Sequence, residues 1–344
     1  MRQLSIHKTL LILFFILGGL PLLSQDIHFS QFNASPMNLN PALSGFFTGK
    51  HRFVLNNKSQ WSSITTPYQT FSASYDTRLL KKKRRRKDMI GAGITFYRDV
   101  AGDSDFGTMQ ASLSVSYIKG LNNFNNHFLT LGVQAGGAQR NLNFNKLSFD
   151  NQFNGEQYDP ELYHGENLSA ENFSYFDLSF GVHWFYQIKS RLNFSVGIAA
   201  FHLNKPSQSH LDNHDITLNP RYLIHGKAQL DVSGKIDLVP GFQLMRQGEY
   251  SEYLLGSMIN FITNDDPNFY TSINFGLYMR YNDAAIAVLG MDYKRFNFGI
   301  SYDINFSDLQ NASDLRGGFE FSLIYILGER SSRKVVRKMY CPIF

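Results

Sequence analysis

The sequence holds one cysteine in 344 residues, Cys341, so neither an intrachain disulfide nor a cysteine-based zinc cluster can form. Charged residues are scarce at 18%, below the roughly 25% of average soluble chains, which argues against disorder and against a charge-laced coiled coil. Beyond the first 24 residues no apolar run is long enough for a membrane helix. A mean hydropathy of -0.24 excludes a bundle of such helices, but not a membrane β-barrel, in which only every second residue faces lipid. What is plentiful is aromatic and small: 31 Phe, 18 Tyr and 27 Gly. Two classes remain, a soluble all-β protein and an outer-membrane barrel.

Arg2 and Lys8 precede the apolar run Leu10 to Leu17, followed by Gly18, Gly19, Pro21 and Ser24. A basic start, a short apolar stretch and a small residue predict a signal peptide over residues 1–24, cleaved before Gln25. The run is short for a spanning anchor of roughly 20 residues, and Gly-Gly-Pro breaks it. Without Arg2 and Lys8 the net charge drops from +5 to +3, so an exported chain this mildly basic gives no reason to expect a nucleic-acid partner.

The remainder alternates. Phe176, Leu178, Phe180, Val182, Trp184, Tyr186 and Ile188 share one strand face, opposite Asp177, Ser179, Gly181, His183, Phe185 and Gln187. Leu113, Val115 and Tyr117 oppose three serines, and Leu129, Leu131, Val133 and Ala135 oppose Thr130, Gly132, Gln134 and Gly136. Ile300, Tyr302 and Ile304 oppose Gly299, Ser301, Asp303 and Asn305. The second face is small or polar rather than Lys- and Glu-rich, which suits a barrel interior better than the outside of a sandwich. Tyr117, Trp184, Tyr186 and Tyr302 stand where interfacial girdles would lie.

Counting such segments from His51 to Leu327 predicts about fourteen strands in one antiparallel transmembrane β-barrel. With both termini in the periplasm, outward connections would run from Arg98 to Gly107, Arg140 to Phe173, Asn204 to Arg221 and Ser307 to Arg316. The inward ones, at Ile188 to Arg191, Val232 to Lys235 and Tyr293 to Arg295, are short. The expected division is a signal peptide (1–24), a pre-barrel segment (25–50), the barrel (51–328) and a basic periplasmic tail (329–344). In the pre-barrel segment Phe29, Phe32, Leu39 and Leu43 need burial, and Asn40-Pro41 favours a turn. It is either a partial plug in the periplasmic mouth or lumen of the barrel or an ordered lead-in packed beneath the first strand.

Between two strands lies Lys81-Lys82-Lys83-Arg84-Arg85-Arg86-Lys87, either a solvated hairpin turn or a basic patch that docks an acidic partner or lipid head groups. His210 and His214 are four apart, the spacing of a helical metal pair, but Pro206 and Pro220 bracket an exposed loop, so a metal is not expected. Asn264-Asp265-Asp266-Pro267-Asn268 clusters oxygen ligands without an EF-hand's spacing and reads as a hairpin turn. Asp177, Ser179 and His183 could serve a lumenal hydrolase only if an activated Ser-His pair formed, and no nucleophile motif supports one. No catalytic residue and no cofactor is expected.

The stretch from Gln25 to Gly45, QDIHFSQFNASPMNLNPALSG, resembles the opening of the PorP/SprF family of type IX secretion outer-membrane proteins. Later blocks are similar too: Asn57 to Trp61, Tyr68 to Asp76, Ala200 to Pro206, Val239 to Gly248, Tyr281 to Val288 and Gly317 to Phe321. Each block is weak, and their order and spacing carry the resemblance. The ending CPIF resembles the family's tail.

The resemblance implies a non-enzymatic outer-membrane barrel of Bacteroidota, in a family linked to secretion and gliding motility. Such a barrel would support export or surface attachment of a cargo protein, for instance a large adhesin with a type B C-terminal domain. On that reading, outer loops around 154–172 and 204–219 retain the cargo. Periplasmic turns and tail residues Arg330, Arg333, Lys334, Arg337 and Lys338 meet machinery components. The rivals are a passive porin or FadL-like transporter, which needs an open or ligand-lined lumen, and an outer-membrane hydrolase.

Overall fold

The computed structural model describes residues 26–60, 66–81, 88–163, 165, 172–209, 216–266, 269–306 and 316–328. Fourteen strands form a closed antiparallel barrel. They are β1 (His51–Gln60), β2 (Tyr68–Lys81), β3 (Met89–Ala101), β4 (Phe106–Gly120), β5 (His127–Asn141), β6 (Asn172–Lys189) and β7 (Leu192–Phe201). β8 (Arg221–Ser233), β9 (Ile236–Gln247), β10 (Tyr250–Asn264), β11 (Thr271–Arg280), β12 (Ala284–Tyr293), β13 (Phe296–Asn305) and β14 (Arg316–Leu327) complete it. Each strand pairs with its sequence neighbours, and β1 closes on β14 from His51 opposite Leu327 to Gln60 opposite Gly318. Closure leaves no strand edge, so ladder groups are paired within the wall, as a hydrocarbon environment demands. Among the described residues no helix is long and apolar enough to cross a membrane.

The alternation has its expected consequence. On β4, Leu113 and Val115 are 64% and 50% exposed while Ser112, Ser114 and Ser116 are buried. β6 and β13 divide the same way, with Asp177, Ser179, His183, Ser301 and Asp303 inside and Leu178, Phe180, Ile300 and Tyr302 outside. Apolar side chains point outward because their solvent is lipid; polar ones point inward, where they find partners.

The barrel's ends differ. Connections 142–171, 202–220 and 306–315 join odd to even strands at one rim, whereas the other carries the two-residue turns 190–191, 234–235 and 294–295. At this short-turn rim, the Phe53 and Tyr75 rings lie 4.9 Å apart and the Phe296 and Tyr325 rings 4.5 Å apart. Trp184 Nε1 donates to His127 Nε2 over 2.7 Å near the same rim. One expected outer loop is not a loop. β3 runs on to Ala101 and β4 starts at Phe106, because Gly102 and Asp105 adopt φ of 70° and 50° and close a tight turn between them.

Candidate functional site

The lumen is occupied by the chain's own N-terminal segment. From Asp26 it passes a 3-10 turn at Phe32–Ala34, a single helical turn α1 at Pro36–Leu39 and a second 3-10 turn at Pro41–Leu43. Pro36 and Pro41 each sit in a first helical turn, where a fixed φ helps and no amide proton is missed. Asn40 caps the second 3-10 turn by accepting from Ala42 N at 2.9 Å. The direction of travel is set by the contacts. Asp26 touches Arg221, where β8 begins, and Gln247, where β9 ends, at the rim of the long connections. Gly45 touches Asp76 and Lys50 pairs with Leu327 at the opposite rim. The segment therefore traverses the lumen before it joins β1.

Its apolar side chains are the ones that needed burial: Phe29, Phe32, Leu39 and Leu43 are all at most 5% exposed. Phe32 stands edge-on to Tyr278 at 5.9 Å, and Phe46 packs against Phe185 at 5.5 Å and Phe128 at 6.0 Å. Each buried Phe is worth about 1.5–3 kcal/mol relative to exposure. Inward-facing glycines make the room. A Cβ on Gly181 would collide with the Asn40 side chain, and one on Gly132 with the Ala42 backbone. Asn40 Nδ2 then reaches the Val182 carbonyl at 3.0 Å and the Ile198 carbonyl at 3.3 Å, and lies 3.1 Å from His225 Nε2.

Buried charges fix both ends. At the short-turn rim Arg52 binds Asp76 through two bonds of 2.9 and 2.7 Å, both side chains fully buried. Arg52 also donates to Leu43 O at 3.0 Å and lies 4.6 Å from the Phe47 ring centre, while Asp76 accepts from Gly45 N at 2.7 Å. Near the long-connection rim, Ser30 N and Gln31 N donate to Glu320, Ser30 Oγ to Asp303, and Arg280 to Ser30 Oγ. The topmost latch is Asp26, with His202 Nε2 at 2.6 Å and Arg221 at 3.2 Å; His202 Nδ1 rests on Asp177 at 2.7 Å.

Burial opposes the charge on His202, but Asp26 and Asp177 outweigh it and hold its pKa up at about 9. Burial likewise works against the Asp26 carboxylate, but the His202 and Arg221 charges bring it well below the usual carboxylate range. His28 goes the other way: burial, Lys58 and Arg280 depress it, so its 3.7 Å approach to Glu252 is that of a neutral ring. His202 adopts φ of 56°, a left-handed conformation that costs a non-glycine residue about 1–3 kcal/mol. The latch and the two bonds of Asn204 to the β6 backbone, at Leu178 N and Phe176 O, hold that turn in place.

The blocks that carry the family resemblance supply part of these contacts. Lys58 donates to His28 O at 3.1 Å, Gln247 accepts from Asp26 N at 3.1 Å, and Asp76, His202 and Glu320 hold the segment as described. A family model for the type IX secretion system membrane protein PorP/SprF matches residues 22–325. The chain belongs to the PorP/SprF family. It is thus an outer-membrane β-barrel of a secretion system, and Lys58, Asp76, His202, Gln247 and Glu320, which hold the segment, lie within its family-like blocks, whereas Arg52, Arg221, Arg280 and Asp303 lie outside them. No curated protein sequence matches the chain.

Solved structures similar to this PorP/SprF barrel include the Ralstonia pickettii toluene transporter TbuX, at 12% identity over 85% of this chain and 92% of that one, TM-score 0.49. The CymD monoaromatic hydrocarbon channel matches at 11% identity over 87% and 94%, TM-score 0.47. At these values neither likeness carries a functional statement.

The other sequence-based candidates are distributed as follows. Lys81 ends β2 at the short-turn rim, whereas Lys82, Lys83, Arg84, Arg85, Arg86 and Lys87 lie outside the described residues. So do Arg330, Arg333, Lys334, Arg337, Lys338 and Cys341, and the histidines His210 and His214. Among the described residues no group of three metal-ligating side chains converges. Asn264 Oδ1 accepts from Asp266 N at 2.8 Å, a turn-forming bond. Ser179 Oγ points to Asp177 rather than to a histidine, and His183 stacks on His225 at 5.9 Å. No local pattern in the sequence singles out the charges that bind the segment. Their signal was present as Arg52, Asp76, Glu252, Arg280, Asp303 and Glu320 on polar strand faces, but their pairing is tertiary.

Two cavities flank the segment. The larger, about 310 Å³, lies at the long-connection rim against Asp26, Ile27 and His28; the smaller, about 90 Å³, lies further down against residues Ser30 to Ala34.

Proposed function

We propose that this barrel works as a non-enzymatic accessory of type IX secretion, supporting export or cell-surface attachment of a cargo protein, with its N-terminal segment as a plug. The observation that carries the reading is the filled lumen. Residues Asp26 to Phe47 are pinned to opposite walls by buried charges and packed aromatics, an arrangement that suits docking at the rims better than free diffusion through the centre. Cargo, for instance a large adhesin with a type B C-terminal domain, would meet connections 142–171 and 202–220. Machinery components or lipid head groups would meet Lys81, the basic run 82–87 and the tail from Arg330 to Lys338. On this reading the short-turn rim, where β1 begins and β14 ends, is periplasmic, and Asp26 lies at the cell-surface end of the lumen.

Two experiments test the parts separately. Gene deletion followed by surface proteomics should remove one secreted protein from the surface; a solute-uptake defect with an unchanged surface proteome would favour a transporter. For the plug, an Asn38→Cys/Ser72→Cys pair, whose native side chains bond at 3.0 Å, should lock the segment to β2. Deleting residues 26–47 should give open-barrel conductance in planar bilayers, and the oxidised lock should stay closed. Equal conductance of both proteins would overturn the plug.

A further inference from the structure

The larger cavity has a chemistry of its own, independent of any role in secretion. It is walled by inward-facing residues at the outer ends of β1 to β6, with the first described residues as its floor. Its volume of about 310 Å³ falls at the lower end of the roughly 300–1,000 Å³ of small-molecule sites. Tyr68, Tyr97, Phe106 and Tyr175 supply aromatic rings.

The charges lining it are engaged by the protein. Asp99 accepts from Thr70 Oγ1 at 2.6 Å and from the Tyr68 hydroxyl. Arg140 Nη1 donates to Gln208 Oε1 at 2.7 Å, its Nε to Thr108 Oγ1 at 3.3 Å, and its guanidinium lies 4.9 Å from the Phe106 ring centre. Asp26 is held by His202 and Arg221. Among the described lining residues, Asp99 and Arg140 offset one another. A charged ligand would therefore find no surplus of opposite charge to offset its lost hydration. The lining hydroxyls are bonded within the protein, but an apolar ligand would still strip water from the Gln60 and Gln208 side-chain amides without replacing its bonds, at about 1–3 kcal/mol for each group left unsatisfied. A neutral molecule that presents both C–H faces and hydroxyls meets neither objection.

We infer that this cavity is a saccharide-binding site, sized for one or two neutral sugar rings, with Tyr175 giving a stacking face and Gln208 a hydroxyl-binding amide. Both are half-buried at the rim.

The test uses the full barrel in lipid nanodiscs, free of sugar-headed detergent, and saturation-transfer NMR. Probes are the methyl glycosides of glucose, galactose, mannose and N-acetylglucosamine, alongside toluene, lysine and glutamate. At least one glycoside should receive saturation, and Tyr175→Ala and Gln208→Ala should each weaken its affinity roughly fivefold or more. Asn193→Ala, which lines the smaller cavity, should leave it unchanged. Heat-modifiable gel migration verifies that each variant remains a folded barrel. Silence of every glycoside, transfer to toluene or the amino acids alone, or full affinity in both rim variants would overturn the assignment.

Discussion

Asn40 Nδ2 lies 3.0 Å from the carbonyl oxygen of Val182, so a side chain of the internal segment bonds directly to the backbone of the barrel wall. The same side chain caps its own turn through Ala42 N, which makes one residue answer for both the shape of the segment and its seat. Asn40→Ala should destabilise the barrel by about 1–3 kcal/mol, through the lost cap and the lost bonds to wall groups. Gly181→Ala should cost about the same by overpacking, because its methyl would meet Asn40. Thermal unfolding followed by gel migration measures both. Unchanged midpoints would mean that the segment is not seated there.

The Arg52–Asp76 pair is fully buried and also holds the backbone at Leu43 and Gly45. Removing one partner, by Arg52→Ala or Asp76→Ala, should cost about 3–5 kcal/mol, since the other charge is left buried and without its counter-charge. The double variant Arg52→Met/Asp76→Leu should cost clearly less than the two single losses added together. Additive losses would show that the two charges act independently.

The latch at Asp26 gives a pH dependence with a definite sign. His202 is raised from 6.5 to about 9, so its contribution is complete below 6.5 and is lost as pH rises through about 9. Asp26 is lowered below 3.8, so its contribution is complete above that value and is lost only in strong acid. Amide hydrogen exchange between Asp26 and Phe32, corrected for intrinsic rates, should speed up between pH 8 and about 10. His202→Gln should abolish that step. Equal protection at both pH values would remove the latch from consideration.

The two rims predict sidedness. Lys205 lies exposed in the 202–220 connection and Ser190 in the turn between β6 and β7. In a Cys341→Ser background, a membrane-impermeant maleimide should label Lys205→Cys on intact cells, and Ser190→Cys only after the outer membrane is permeabilised. The reverse pattern would invert the barrel and move the large cavity to the periplasmic side.

Much of the wall is legible in the amino-acid sequence. Leu113, Val115 and Tyr117 against three serines leave no ambiguity about which face meets lipid, because a β-strand turns its side chains over every residue and a one-residue slip would bury the wrong set. The extent of β3 and β4 was less legible. Arg98 and Asp99 resemble loop residues, but Asp99 faces inward to Thr70 and Tyr68, so polarity there marks lumen rather than solvent. The segment from Asp26 to Lys50 was readable only as apolar residues in need of burial. Its partners are Glu320, Asp303 and His202, between about 170 and 290 positions away in the chain, and no local pattern joins residues so distant.

Period two, which is local, is enough to tell which face of each strand meets lipid and to count about fourteen strands, and the order of the motifs points to the family. Only the tertiary structure decided that the lumen is filled. Closing the sheet brings β1 beside β14 and puts charges from six or more strands around one segment. Which carboxylate meets which cation then depends on register across the ring rather than on neighbours in the chain.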